Sequence, residues 1–216
     1  MKKTPAIHPL RIDFQVTPEI SRFVHIHLIL GPRILMIDAG VAGAEEHVCA
    51  CLASLGRKIE DVDSLLLTHA HPDHIGGAAA IKRLSGCKVY APSHERDWIE
   101  DIERQYRERP IPNFHRLVNE AVQADIWLHG DETIACGNGM TIRVYDTGLR
   151  NARSLVGFAQ LPVAGRARAL YGRCDSRTGR DTDLRERRAV RVFSEEDAGL
   201  AGRRPLLFRL VRSSGR

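Results

Sequence analysis

The chain lacks several features that would place a protein in a class at once. Its 216 residues hold five cysteines, an odd and scattered set, so we expect reduced, buried cysteines and no disulfide framework. No apolar run approaches the length of a membrane span. Pro5, His8 and Pro9 interrupt what would be the core of a signal peptide. We therefore expect one domain of ordinary size that is soluble, cytoplasmic and without a membrane partner.

Excess basic charge is missing from most of the chain. Residues 164–216 carry 14 Arg and 7 Asp or Glu, a net of +7 against +5 for the whole chain, so residues 1–163 sum to −2. The pI of about 9.1 therefore reports on the end of the chain alone. From Arg173 to Arg191 the arginines of this end also lack interleaved aromatic side chains, and single-strand binders use such side chains to stack bases. Both absences argue against a nucleic-acid partner.

Apolar patterning predicts strands that alternate with helices. Residues 23–37 are rich in β-branched and apolar side chains around Gly31-Pro32, which predicts a hairpin. Residues 44–55 carry apolar side chains at helical spacing and predict a helix. Further predicted elements are a helix over 75–84, a strand over 87–91, an exposed helix over 94–109 and a strand over 140–145. Such alternation is typical of the α/β class.

The segment Thr68-His69-Ala70-His71-Pro72-Asp73-His74 concentrates side chains that bind metals. In an extended segment alternate residues point the same way, so His69 and His71 can converge on one zinc ion. Asp73 and His74 can then turn towards a second ion. Three histidines and one aspartate within six residues are a specific signal, against which a merely polar turn is the plain alternative.

This segment, extended to Leu65-Leu66-Leu67 before it and Ile75-Gly76-Gly77 after it, resembles the signature of the metallo-β-lactamase superfamily. That superfamily includes glyoxalase II and lactonases. The resemblance runs from about residue 23 to about residue 170. It implies a mixed α/β (α+β) fold, an αββα sandwich with two facing sheets, helices outside and metal ions at one edge. The chain then divides into a metallo-β-lactamase-like domain, residues 1–170, and an arginine-rich C-terminal segment, residues 171–216.

The resemblance also implies a function. It predicts a zinc-dependent hydrolase of a small ester, thioester or lactone that acts through a metal-bound hydroxide and takes a small-molecule substrate. Up to two zinc ions would bind, the first to His69 and His71, the second to Asp73 and His74. Asp73 would also be the catalytic residue, since it would orient the hydroxide. Asp38 would either hold a ligand imidazole or cap a turn.

The second half of the chain departs from the pattern of the family. The family has a third histidine, a bridging aspartate and a late histidine. Here the Thr147-Gly148 loop lacks the third histidine, and the segment Tyr171-Gly172-Arg173 lacks the bridging aspartate. The late histidine is also missing, since no histidine follows His129. Catalytic zinc sites normally supply three protein ligands, so the alternative function is a non-catalytic or truncated remnant of the fold, incomplete at its C-terminal end. Candidate substitutes are His25, His27 and Asp175, each of which also fits an ordinary strand or surface position, while His94 could line the mouth of the pocket.

A change of reading frame offers a second account of the arginine-rich segment. Read one base later, the codons of residues 171–183 can spell Thr-Gly-Asp-Ala-Ile-Pro-Val-Pro-Gly-Glu-Ile-Pro-Ile, which contains an aspartate turn. Those of residues 200–205 can spell Leu-Pro-Gly-Val-Asp-His, which contains a late histidine. The shift does not restore the third histidine. Residues 171–216 are thus expected to be either a solvated, disordered tail or a frameshift product, and the DNA sequence distinguishes the two.

Overall fold

The computed structural model describes residues 6–130, 132–135, 141–146, 157–161 and 168–170. The strands of this part are β1 (Ala6–Thr17), β2 (Ile20–Leu30), β3 (Ile34–Ile37), β4 (Val62–Leu66), β5 (Lys88–Pro92), β6 (Ile126–Leu128), β7 (Thr133–Ala135), β8 (Thr141–Asp146), β9 (Gly157–Leu161) and β10 (Arg168–Leu170). Its α-helices are α1 (Ala44–Ser54), α2 (Pro72–Ile75), α3 (Ala78–Ser85), α4 (Arg96–Ile99), α5 (Ile102–Glu108) and α6 (Phe114–Leu117).

The strands form two sheets. One has the order β1-β2-β3-β4-β5-β6 and the other the order β10-β9-β8-β7. In the first sheet β2 pairs antiparallel with β3, and Gly31-Pro32 lies in the connection, which confirms the predicted hairpin. The pairs β3 with β4, β4 with β5, and β5 with β6 are parallel. The C-terminal ends of these parallel strands therefore share one edge of the sheet.

Each face of the first sheet is covered by a separate layer of apolar side chains. On one face the side chains of β2, β3 and β4 pack against the helices, with Ile26, Met36 and Leu65 fully buried beside Val48 of α1. On the other face the first sheet packs against the second. The buried side chains between the sheets are Ile29, Leu35, Ile37, Leu66, Leu128, Ile134, Ile142 and Val144. The alternating apolar pattern of the strands thus builds a sandwich of two sheets, as predicted.

The predicted helix over 75–84 is interrupted at its start. Helix α2 ends at Ile75 and α3 begins at Ala78, with Gly76-Gly77 between them. A Cβ atom on Gly76 would lie 2.0 Å from the carbonyl oxygen of Leu117. A Cβ atom on Gly77 would lie 2.5 Å from the carbonyl oxygen of Ala39. The pair of glycines therefore lets three backbone segments approach closely beside the histidine segment.

The prediction of one exposed helix over 94–109 is wrong. The segment forms a short 3₁₀ turn, then α4 and α5, and it turns several side chains inward. Glu95, Trp98 and Gln105 are buried. Asp101 begins α5, since its side chain accepts a hydrogen bond of 2.8 Å from the backbone N–H of Arg104. Because the segment is highly charged, its buried side chains could not be predicted from the sequence.

One strand was not predicted, and the described residues cover the expectations for the cysteines and the C-terminal segment only in part or not at all. Strand β1, which the sequence patterning did not single out, pairs with β2 along almost its whole length. Cys49, Cys51 and Cys87 are free thiols, of which only Cys87 is fully buried, while Cys136 and Cys174 lie outside the described residues. In the described part, every helix is too short or too polar to cross a bilayer. The arginine-rich segment, residues 171–216, lies outside the described residues. The domain boundary at residue 170 coincides with their last residue and stays a prediction.

Candidate metal centre

The candidate site lies at the edge where the parallel strands β3, β4 and β5 end. Asp38 directly follows β3. Thr68 begins the histidine loop, residues 68–74, two positions after the end of β4. Glu95 lies three positions after the end of β5. The fold therefore brings together polar side chains that are 25 to 30 residues apart in sequence.

Asp38 is a buried carboxylate that holds the histidine loop. Its Oδ1 accepts a hydrogen bond of 2.8 Å from the backbone N–H of Thr68, whose hydroxyl lies 2.9 Å from both carboxylate oxygens. Its Oδ2 lies 2.8 Å from Nδ1 of His74. The backbone of Asp38 has a φ of 59°, a left-handed conformation that aspartate and asparagine tolerate better than most residues. Of the two roles that the sequence allowed, contact with an imidazole is the one observed.

The contacts of Asp38 set the tautomers of two histidines. A carboxylate can only accept a hydrogen bond, so in the neutral ring of His74 Nδ1 carries the hydrogen and Nε2 is an acceptor. The hydroxyl of Thr68 donates its single hydrogen to Asp38 and therefore accepts from Nδ1 of His69, 2.9 Å away. His69 is thus also held with Nε2 as an acceptor. This is the form of imidazole that binds metals, and a partner at the other nitrogen is the usual way to fix it.

His71 is held from a different side. It is 6% exposed, and its Nε2 accepts a hydrogen bond from the guanidinium of Arg109, the residue after α5. Burial lowers the pKa of His71 from 6.5 to about 3, and the positive charge of Arg109 and the neighbouring His74 act in the same direction. The imidazole of His71 is therefore neutral in the folded protein at neutral pH.

The four predicted ligands are neighbours in space. The ring centroid of His69 lies 4.6 Å from that of His71 and 4.1 Å from that of His74. Nε2 of His74 lies 3.6 Å from the nearer carboxylate oxygen of Asp73, whose side chain is one-third exposed. Within the described segments, however, no three His, Cys, Asp or Glu side chains converge closely enough to hold an ion by themselves. The structure thus brings the four side chains together, and their role as metal ligands stays a prediction.

Glu95 and Gln105 clamp the peptide groups between the first two histidines, and the sequence reading missed both. The backbone N–H of Ala70 donates to the buried carboxylate of Glu95. The carbonyl oxygen of Ala70 accepts from the side-chain amide of Gln105 at 2.5 Å. Gln105 is 1% exposed, although it lies in a stretch of charged residues. An amide side chain in such a stretch carries no signal in the sequence that would have revealed its inward position.

The other candidate ligands belong to segments outside the histidine loop, and one of them falls outside the described residues. His25 and His27 are half-buried neighbours on β2, with ring centroids 6.3 Å apart. His94 is exposed, and its Nε2 lies 3.9 Å from the nearer carboxylate oxygen of Glu95. Asp175 and the Thr147-Gly148 loop fall among the residues that the structure does not describe.

Comparison with known proteins assigns the family. A sequence model of the metallo-beta-lactamase superfamily matches residues 23–140, which is more than half of the chain. The chain belongs to the metallo-beta-lactamase superfamily. Asp38, the histidine loop, Glu95 and Arg109 all lie within the matched region. The predicted membership is confirmed.

Similarity to curated proteins covers part of their length. The chain is 41% identical over 72 residues to the exodeoxyribonuclease WalJ of Streptococcus pneumoniae, which is 33% of this chain and 25% of that protein. It is 32% identical over 117 residues to a hydroxyacylglutathione hydrolase of Pseudomonas paraeruginosa, which is 47% of this chain and 44% of that protein. The chain therefore spans less than half the length of either relative.

A solved structure confirms the fold class. The beta-lactamase from Chitinophaga pinensis superposes with a TM-score of 0.56 and 26% sequence identity, over 68% of this chain and 55% of that one. The mixed α/β architecture with two sheets is thus that of the metallo-beta-lactamase fold.

The lowered pKa of His71 predicts how stability depends on pH in this metallo-beta-lactamase fold. The unfolded chain binds a proton at His71 near pH 6.5, the folded chain only near pH 3. The contribution of neutral His71 is therefore complete above pH 6.5 and is lost as the pH falls towards 3, at up to about 1.4 kcal/mol per pH unit. We expect urea unfolding with excess chelator to show a smaller loss over this window in His71→Gln than in the wild type. The exposed His115, replaced in the same way, is the control, and equal slopes in all three proteins would contradict the prediction.

Proposed function

We propose that this chain is a zinc-dependent hydrolase of a small ester, thioester or lactone. The observation that carries the proposal is the network around Asp38. One buried carboxylate fixes His74 directly and His69 through Thr68, and it holds both in the tautomer whose Nε2 accepts. A merely structural polar turn has no need of two imidazoles oriented in the same sense.

The side chains present are of the kinds that bind zinc, but there are fewer of them than a catalytic zinc site normally has. Zinc binds neutral imidazole nitrogens and carboxylate oxygens, and the lowered pKa of His71 keeps that imidazole neutral. His69 and His71 would hold one ion, and Asp73 and His74 would hold the other. The described residues do not complete either set, since catalytic sites normally supply three protein ligands. Weak binding of zinc is therefore part of the proposal.

The chain's own residues have separable roles in this reaction. Bound zinc supplies a Lewis acid for the substrate carbonyl and a water molecule that ionises near neutral pH. Asp73, whose side chain is one-third exposed, accepts the proton of the attacking water and orients that water. Asp38 keeps the imidazoles of His69 and His74 in the orientation that binds a metal. Glu95 and Gln105 hold the peptide groups of Ala70, so that the two flanking histidines keep their separation.

A second candidate function is hydrolysis of a phosphodiester. The similarity to an exodeoxyribonuclease over 72 residues favours it. The net charge of −2 over residues 1–163 argues against it, because a phosphate backbone is bound chiefly by basic side chains. The similarity to a hydroxyacylglutathione hydrolase is longer, at 117 residues. We therefore place the small ester or thioester first.

The test begins with the full chain purified without chelators. We expect elemental analysis to find zinc, and we expect hydrolysis of generic thioesters or lactones that rises with added zinc and stops with chelator. Asp73→Asn should lower both kcat and zinc content, because Asp73 is proposed to orient the water and to hold the second ion with His74. Asp63→Asn, at an exposed aspartate that faces Arg33 at 3.5 Å, is the matched control.

The outcomes separate the candidates. Hydrolysis of single-stranded DNA without hydrolysis of thioesters or lactones would replace the first candidate by the second. Less than one equivalent of zinc together with no hydrolysis of any substrate would leave the fold as a non-catalytic remnant.

A further inference from the structure

We propose that the chain forms a symmetric dimer in which β1 of one protomer pairs antiparallel with β1 of its partner, in a register centred on Ile12. The partner is a second copy of this chain. Neither metal binding nor hydrolysis enters this inference, so it stands apart from the proposed function.

Strand β1 lies at an edge of the first sheet. It is 12 residues long, and among the described strands β2 is the one that pairs with it. An edge strand presents a row of backbone N–H and C=O groups that can pair with another strand. Charged residues and proline usually discourage such pairing, and β1 contains both. Their placement along the edge therefore decides whether a second strand can pair.

The residues whose backbone faces this edge follow from the alternation along the strands. The backbone N–H of Asp38 donates at 2.9 Å to the carbonyl oxygen of Leu66 in β4, so alternate residues of β3 face β4 and the others face β2. Through the registers of β3 with β2 and of β2 with β1, the same alternation turns the backbone of Pro9, Arg11 and Asp13 away from β2. Pro9 has no N–H, and on this side it costs β2 no hydrogen bond. Arg11 and Asp13 therefore offer both backbone groups to a second strand.

A register centred on Ile12 matches unlike charges. Residues at equal distances on either side of the centre lie opposite each other, so Arg11 faces the partner's Asp13 and Asp13 faces the partner's Arg11. Their side chains are 56% and 59% exposed. The same register places Leu10 opposite the partner's Phe14, and both are partly buried on the face that packs against the helices. Charged side chains thus meet unlike charges on one face, and apolar side chains meet apolar side chains on the other.

The neighbouring registers set like charges opposite each other. A pairing centred on Arg11 would place two arginines directly opposite, and a pairing centred on Asp13 would place two aspartates there, which destabilises a pair of strands. The arginine is also held in position before it meets a partner. Its guanidinium lies 4.1 Å from the centroid of the Phe23 ring and 2.6 Å from a carboxylate oxygen of Asp13. Less side-chain freedom is therefore lost on association.

An exchange of charges tests the register. Arg11→Asp places two carboxylates opposite each other at both contacts, and Asp13→Arg places two guanidinium groups there. Each variant alone should dimerise about tenfold or more weakly than the wild type, measured by sedimentation velocity of the full chain over a range of concentrations. An equal mixture of the two variants restores an unlike pair at both contacts, so it should dimerise about as tightly as the wild type. A charge effect within one protomer cannot produce this rescue.

Arg33 and Asp63 provide the matched control. They form an ion pair of 3.5 Å outside β1, with side chains that are 54% and 59% exposed. Arg33→Asp, Asp63→Arg and their mixture should all dimerise as the wild type does. Urea unfolding checks the fold of each variant, and Arg11→Glu replaces Arg11→Asp if that variant does not fold.

Amide hydrogen exchange locates the interface. Protection of the backbone N–H groups of Arg11 and Asp13 should rise with protein concentration, while that of Ile12, which faces β2, should be protected throughout. A wild-type chain that stays monomeric up to millimolar concentration would overturn the proposal. So would protection of Arg11 and Asp13 in a monomer, because the same chain would then cover the edge. A dimer that the single variants leave intact, or that their mixture does not restore, would place the contact elsewhere and overturn the proposal as well.

Discussion

Replacement of His71 by Ala is expected to lower zinc affinity about 100-fold or more. Loss of a partner behind a metal ligand typically costs 10–100-fold, and loss of the ligand itself should cost at least as much. His71 is 6% exposed and packs against the ring of His69, so its imidazole is part of the same cluster of donors. The measurement is zinc content after purification and the dissociation constant by chelator competition. Hydrolysis, where present, should fall with it.

His94→Ala is the matched control for this change. His94 lies near the same edge of the sheet, next to Glu95, but it is exposed and outside the histidine loop. It should bind zinc as the wild type does. Thermal unfolding with excess chelator checks that His71→Ala is still folded. If the two variants retain equal zinc, His71 is not a ligand and the assignment of the loop fails.

Prediction from sequence succeeded where one short segment held the whole signal. Hydrophobic periodicity predicted the hairpin of β2 and β3, helix α1 and strand β5 within three residues of their bounds. The histidine loop carried four candidate ligands in seven positions, and the structure makes them neighbours. Local spacing decides such features, so no knowledge of distant contacts was needed.

Prediction was wrong or silent where distant segments meet. Glu95 and Gln105 contact Ala70 across 25 and 35 positions, and their sequence context is a charged stretch that is typical of an exposed helix. Arg109 reaches His71 across 38 positions. A charged or amide side chain gives no sign in the sequence of whether its tip points to solvent or to a buried polar partner. The contact between Arg109 and His71 is therefore visible only in the structure.

Strand β1 was missed for a related reason. It contains two charged residues, Arg11 and Asp13, which form an exposed ion pair of 2.6 Å on one face of the strand. Of residues 7–17, whose burial the structure describes, Ile12 between them is the one fully buried residue. The strand lies at the edge of the first sheet, where one face packs inward and the other is exposed to solvent. Its polar residues weakened the hydrophobic pattern from which a strand is predicted.

The last prediction concerns Asp38, and it separates the orientation of ligands from the stability of the fold. Asp38→Asn keeps the shape of the side chain and suits the left-handed backbone at this position, since asparagine also tolerates a φ of 59°. The amide oxygen can still accept from the backbone N–H of Thr68, which now lies 2.8 Å from Oδ1. The amide nitrogen, however, donates where the carboxylate accepted. We therefore expect the variant to fold.

The expected loss is in the metal centre. With an amide N–H facing it, Nδ1 of His74 must accept, and the hydrogen of the neutral ring moves to Nε2, where it blocks coordination. Zinc affinity should fall about 10–100-fold. Asp38→Ala removes every acceptor and leaves buried donors on Thr68 and His74, so it should also destabilise the fold by about 3–5 kcal/mol.

Chelator competition and urea unfolding of metal-free protein measure the two effects separately, with Asp63→Asn as the control for charge, since Asp63 is exposed. The ¹⁵N resonances of His74 report the tautomer directly. If Asp38→Asn binds zinc as the wild type does although its His74 tautomer has changed, then Nε2 of His74 is not the coordinating atom. If instead the tautomer stays the same in Asp38→Asn, the carboxylate is not what orients the ring, and the role assigned to Asp38 is wrong.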